Sequence, residues 1–204
     1  MFYHCDRNDH GLPYNPFKAC VIPRPIGWVS TRSRAGVPNL SPFSFFSAVN
    51  ERPPMVAFCA NGRHVAGGEK DSVLNARETG EFVVNLATYA LRDAINASSA
   101  SVERDVDEFR LAGVTAVPGR LVKAPCVKES PVHLECAVHD ILELPSSEEG
   151  WISRMVIGRV LGIHVDDAMI EDGMVKAERL QAISRLGYMD YAVTREVFQL
   201  NRPA

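Results

Sequence analysis

Residues 23–47 read PRPIGWVSTRSRAGVPNLSPFSFFS, and small hydroxyl and amide side chains recur through them: Ser30, Thr31, Asn39, Ser41 and Ser44. They lie on or beside two apolar, β-prone runs, 26–31 and 43–49, joined by a Gly/Pro/Asn-rich connection at 33–39, which is a hairpin signal. Such a strand pair offers a flat apolar surface edged with hydrogen-bond partners. A planar heteroaromatic cofactor with a polar tail needs that surface, because ligand sites combine apolar walls with a few placed polar groups. A second constellation suits an anionic tail. Gly67-Gly68 lets the backbone curl, and Lys70-Asp71-Ser72 follows at the start of a predicted helix, where free N–H groups and the helix dipole favour a phosphate. Read from these residues alone, the plainer account is a solvated Lys70 and a capping Ser72.

Other chemistry is absent from the pattern. The chain has no GxSxG, no HExxH and no paired-carboxylate signature, so no catalytic nucleophile, acid or base is assigned. His4, Cys5, Asp6, Asp9 and His10 could chelate, but their spacing is unspecific, and no metal site is assigned. His64 stands apart from the other histidines because it follows the Asn61-Gly62-Arg63 turn.

The elements that must position these groups follow from composition and periodicity. With 204 residues, 46% of them apolar, the chain can bury one core and reads as a single domain, residues 1–13 forming an irregular arm. A net charge of -3 gives no nucleic-acid footprint. No signal peptide and no apolar run of membrane-spanning length are visible. Five widely spaced cysteines without a CxxC pair read as reduced thiols in a cytoplasmic protein, with Cys59, Cys126 and Cys136 as core residues.

Strands are expected near 19–22, 26–32, 43–49, 55–60, 81–86, 132–142 and 152–165. Gly158 and Gly162 mark bulges in the last. Helices are expected at 73–79, capped by Asp71 or Ser72 and ended by Gly80, at 88–98, at 103–112 before Gly113, and at 177–186. Asp172-Gly173 is a turn. Six or more strands without βαβ alternation point to a mostly-β, closed antiparallel barrel.

These segments together resemble a known family. PRPIGWVST, NLSPFSFFSAV, PPMVAF, KDSVLNARETGEFVVNL and, later, MVIGRVLGIHVDDAMIEDG and LQAISRLGYMDY are similar to the flavin reductase-like, FMN-binding split-barrel family, in particular its flavoredoxin-like branch, over about residues 14–192. The resemblance implies a Greek-key split barrel with a few short peripheral helices, a homodimer, and FMN in a cleft near the dimer interface. Lys70 and Ser72 carry over as phosphate ligands, with Arg24 as a second cation. The 26–31 strand and the 41–46 strand, with Ser41, Pro42, Phe43 and Ser44, carry over to the flavin ring, where backbone N–H groups stabilise the reduced pyrimidine and Ser44 and Asn39 add side-chain options. Phe43, Phe45 and Phe46 wall the ring, although Phe43 and Phe45 are equally core residues. Ser30 and Thr31 reach ribityl or phosphate oxygens, or are plain strand polarity. Asn61, Gly62 and Arg63 border the ring, or form a simple turn. Arg185 and Tyr188 approach the cofactor or the opposite subunit, although Arg185 also reads as the end of a helix.

The family further implies NAD(P)H as co-substrate and a monooxygenase or other redox protein as electron acceptor. One departure bears on this. Short family reductases carry Gly-Asp-His where this chain reads Trp151-Ile152-Ser153-Arg154, which leaves open an FMN electron carrier with little nicotinamide activity. A split-barrel module that has lost flavin is disfavoured, since Asn39, Ser41, Ser44, Lys70 and Ser72 all remain.

Overall fold

Seven strands form one antiparallel sheet in a computed structural model, which describes residues 1–203. They are β1 (Gly27–Arg32), β2 (Pro38–Phe43), β3 (Phe46–Glu51), β4 (Pro54–Asn61), β5 (Glu81–Leu86), β6 (Val132–Glu143) and β7 (Ser153–Val165). Their order across the sheet is β2-β1-β5-β6-β7-β4-β3. Thus β2 and β3 occupy opposite edges, yet only Ser44 and Phe45 separate them in the chain. So short a link reaches roughly 10 Å. The sheet must therefore curl until its edges meet, closed by the chain itself and not by a ladder between β2 and β3. This is the expected mostly-β Greek-key split barrel.

Its interior is filled by Val29, Phe43, Val56, Phe58, Phe82, Val84, Cys136 and Val156. Phe43 and Phe58 pack with ring centroids 4.9 Å apart, and Phe82 meets Phe58 edge-on at 5.4 Å. Each such ring stabilises the fold by roughly 1.5–3 kcal/mol through burial. Gly158 sits where an added Cβ would lie 2.3 Å from Phe82, so glycine is required. The register of β6 and β7 shifts at Gly158 and again before Gly162, as the two glycines foretell. A second cluster, Trp28, Leu40, Ile95, Phe109 and Ile183, lies under the peripheral helices. No helix among the described residues is long and apolar enough to cross a membrane.

Several expectations are corrected. Residues 19–22 are not a strand: Phe17–Cys20 is one helical turn after Pro16. The first hairpin pairs β1 with Pro38–Phe43, Val29 opposite Ser41, whereas Phe46–Glu51 pairs with β4. Helix α1 (Asp71–Thr79) begins at Asp71, and neither Asp71 nor Ser72 caps it, because both side chains bond elsewhere; Gly80, at φ 76°, ends it as expected. The 88–98 segment is a 3-10 turn, Tyr89–Leu91, followed by α2 (Arg92–Ala97). Only Glu108–Ala112, α3, is helical in 103–112, since the Asp107 carboxylate caps it by accepting from Phe109 N at 2.9 Å. Helix 177–186 stops after Ala177–Leu180: Gln181 turns left-handed at φ 44°, and Ile183–Arg185 becomes a strand paired with Tyr191–Val193.

Candidate cofactor groove

The site is assembled along the outer edge of β2. An edge strand tolerates Pro42, which has no N–H to give a neighbour. Three adjoining cavities follow that edge. A polar one is lined by Asn39, Ser41, Arg63, His64, Lys70, Ser72, Ser99, Ser101 and Glu108. It shares Ser99 with a middle cavity of about 380 Å³ at Pro42, Ser44 and Asn96. That in turn shares Ser44 and Arg185 with an open cleft of about 510 Å³ between Phe45, Tyr14 and Tyr188.

At the polar end, a buried network fixes the geometry. Asn39 Oδ1 accepts from Ser72 Oγ at 2.8 Å and from Thr31 Oγ1 at 3.2 Å, and Asn75 Nδ2 donates to Thr31 at 3.1 Å. Asn39 Nδ2 donates to Glu108 Oε1 at 2.7 Å, and Leu40 N donates to Glu108 Oε2 at 3.3 Å. Burial pushes the Glu108 carboxyl up to about 7, against the pull of its bonds from Asn39 and Leu40. Arg104 pins the preceding loop by donating to Gly67 O at 2.9 Å and Glu69 O at 3.1 Å, and also pairs with Asp71. Gly67 and Gly68 adopt φ of 84° and 76°, which only glycine does without strain. Among the described residues, Lys70 takes part in no ion pair and the Asp71 and Ser72 amides have no acceptor. The His64 side chain is only 8% exposed; its Nδ1 accepts from Ala66 N at 3.0 Å, and its Nε2 lies 3.1 Å from Asp71 Oδ2 without hydrogen-bond alignment.

The opposite end is built differently. Arg24 donates to Val21 O at 2.6 Å and Leu186 O at 2.8 Å, and its guanidinium lies 5.9 Å from the Phe45 centroid. Burial, and then the nearby Arg185, lowers its pKa. Arg185 lies over the Tyr191 ring at 4.4 Å, and Tyr188, half-exposed at φ 55°, packs 5.6 Å from Tyr14.

The structure therefore brings together most of the residues singled out by sequence. Lys70, Ser72, Asn39, Ser41 and Arg63 line the polar end, Pro42 and Ser44 the middle, and Arg185, Tyr188 and Arg24 the aromatic end. Arg24, expected as a second phosphate cation, lies at the far end from Lys70, held by backbone carbonyls. Phe43 points into the barrel and is core. Ser30 is buried away from the groove, donating to Pro125 O and accepting from Asn85. Thr31 braces Asn39 without lining any of the three cavities, and Asn61 and Gly62 do not line them either. Trp151 covers Gly62, and Arg154 is tied to Glu69 at 2.6 Å and Glu143 at 3.4 Å, so neither reaches the groove. Glu108, Ser99, Ser101 and Arg104 were missed. They converge on the site from 28–37 residues beyond Asp71, with no local signal beyond the cap at Asp107.

The donor set fits FMN. An unpaired lysine beside free helix N-terminal amides suits a phosphate, a run of hydroxyls and amides suits a ribityl chain, and an open cleft bounded by aromatic side chains suits a planar ring. Residues 19–186 match the family model of the flavin reductase like domain. A protein of Halalkalibacterium halodurans is 36% identical over 93% of this chain and 90% of its own. YwrF of Bacillus subtilis is 34% identical over 94% and 93%. Nitrilotriacetate monooxygenase component B from Bacillus cereus superposes with a TM-score of 0.88 at 32% identity, over 98% of each chain. Flavoredoxin of Desulfovibrio vulgaris superposes at 0.73 with 21% identity, over 88% and 91%, a likeness of fold alone. By its matched domain and these relatives, the chain belongs to the flavin reductase-like family.

Proposed function

We propose that this protein is an FMN-dependent oxidoreductase of the flavin-reductase type, which takes hydride from NAD(P)H and passes electrons to a monooxygenase or another redox acceptor. The observation that carries this reading is the two-ended groove: an anion seat at Lys70 and the α1 N-terminus, joined by Ser41 and Ser44 to an aromatic cleft. When bound, FMN supplies the hydride acceptor, so the protein need offer no acid, base or nucleophile of its own. Lys70, with Arg63 beside it, neutralises the phosphate, and the Asp71 and Ser72 amides orient it. Ser72 and Asn39 hold that wall rigid through their mutual bond. Ser41 and Ser44 meet the ribityl chain and the ring edge. Phe45, Tyr188 and Arg185 shield the ring from water and favour negative charge beside it.

A second copy of the chain completes the aromatic end, where Tyr188 and Phe45 border an open cleft. The test is an absorbance spectrum of the purified protein followed by anaerobic addition of NADH and then NADPH. Flavin bands that bleach within turnover time support the reductase. A second reading, an FMN electron carrier, is favoured by Arg154 being tied to Glu69 and Glu143 where short reductases place Gly-Asp-His. Bands that persist with nicotinamide but bleach with a reduced ferredoxin-type donor would select it. Absence of any flavin binding would remove both.

A further inference from the structure

Beside the groove lies a fourth pocket, outside the three cavities assigned to the flavin. Its floor is apolar, formed by Ile95, Ile183 and Val193, and its walls are Tyr89 and Tyr191. At about 240 Å³ it falls below the ~300–1,000 Å³ of a complete small-molecule site, so it suits one ring of a longer molecule. Tyr191 and Asn96 line both this pocket and the middle cavity of the groove, so a ligand can extend from one to the other.

The rim is cationic although the whole chain carries a net charge of -3. Arg92 and Arg195 hold their guanidinium carbons 4.5 Å and 5.1 Å from the Tyr89 centroid, and Arg185 holds its own 4.4 Å from that of Tyr191. Among the described residues, Asp93 is the one carboxylate lining the pocket, and it pairs with Arg92 at 3.5 Å. Arg185 and Arg195 form no ion pair among the described residues. Two guanidiniums without counter-charge beside an aromatic slot recognise a planar ring that carries phosphate, through stacking and charge-assisted hydrogen bonds. The chain has no glycine-rich dinucleotide fingerprint, so side-chain cations must hold any pyrophosphate.

We propose that this pocket seats the adenosine phosphate half of the nicotinamide dinucleotide, with the nicotinamide half extending past Tyr191 into the flavin groove. This rests on the reductase reading above. The pocket itself is tested with ADP-ribose, which lacks the nicotinamide, titrated by calorimetry into both the FMN-saturated and the cofactor-free protein. Saturable binding is expected, weakened about tenfold by Arg195→Glu and by Tyr89→Ala, which removes the stacking wall without altering charge. In steady state, Arg195→Glu raises KM for the dinucleotide while kcat holds, the mark of binding energy shared by ground and transition states. FMN affinity and the flavin spectrum are the controls and stay unchanged in both variants. No saturable binding in either form, or equal affinity in both variants, overturns the proposal. Binding of benzoate with the same dependence on Arg195, and none of ADP-ribose, replaces the adenosine with a small aromatic acid. Failure of wild-type protein to bind FMN overturns the reductase reading alone, because the cofactor-free titration still reads the pocket.

Discussion

The two ends of the groove are built on opposite principles. At the polar end, Thr31, Asn39, Ser72, Asn75 and Glu108 are all buried and bonded to one another, each locked by a partner on another element. At the aromatic end, Tyr14 and Tyr188 are exposed and come from a short N-terminal segment and a tight turn after Arg185. A buried polar network holds only if every member is satisfied, and once satisfied it specifies one geometry. An exposed aromatic cleft is shaped by few neighbours and adapts to what enters it. On the function proposed above, the contrast gives cofactor affinity and orientation to the polar end, and access to substrate to the aromatic one.

Replacing Asn39 by leucine should do most to break this contrast. It strips partners from Glu108, Ser72 and Thr31 at once, and leaving such groups buried and unpaired costs about 3 kcal/mol. Urea unfolding should show that loss, with FMN binding falling alongside it. A stability within error of wild type would show that the network is not held as described.

Lys70→Glu acts on ligand alone. The side chain joins no ion pair among the described residues, so stability should hold, while FMN affinity falls about 100-fold as attraction becomes repulsion. Fluorescence titration reads the affinity, and an unchanged value removes Lys70 from the site.

Glu108 sharpens the comparison through pH. Its folded-state pKa of about 7 stands above the ordinary carboxyl value, so folding favours the protonated form. That stabilising contribution is complete below pH ~4.5 and is lost as pH rises through ~7. The ionised carboxylate also lines the cavity proposed as the phosphate seat. FMN affinity should therefore fall several-fold between pH 6 and pH 8, and Glu108→Gln should flatten the profile. A wild-type profile that is flat over that range would count against the carboxylate's place in the seat.

The smallest effect is expected at the aromatic end. Tyr188→Ala removes a half-exposed ring and should change stability by less than ~0.5 kcal/mol and FMN affinity only a few-fold. A loss rivalling that of Lys70→Glu would invert the assignment of the two ends.

The long central strands were legible because their apolar runs are continuous and their glycines sit where the ladder must shift. The edge strand Pro38–Phe43 was not: two prolines and two small polar residues give it little β-propensity, and an edge position is what lets it exist. Of the hydroxyl and amide residues, Asn39, Ser41 and Ser44 line the groove while Ser30 and Thr31 do not, and Thr31 and Asn39 bond mainly to other side chains, a distinction that depends on contacts across 8 to 69 residues. Glu108 illustrates the limit most clearly. In sequence it is an ordinary first-turn acid, and only the packing of α3 against β2 makes it a buried partner of Asn39. Residues 177–186 failed for a local reason, a left-handed Gln181 that no periodicity announces.

The central claim, that the polar end is a phosphate seat for a flavin lying along β2, is tested most directly by titrating the purified, cofactor-free protein with FMN and with riboflavin, following the quenching of flavin fluorescence. The two differ only by the phosphate. FMN should bind at least about 100-fold more tightly, with the difference shrinking as pH rises past 7. Equal affinities, or no quenching by either, would contradict it.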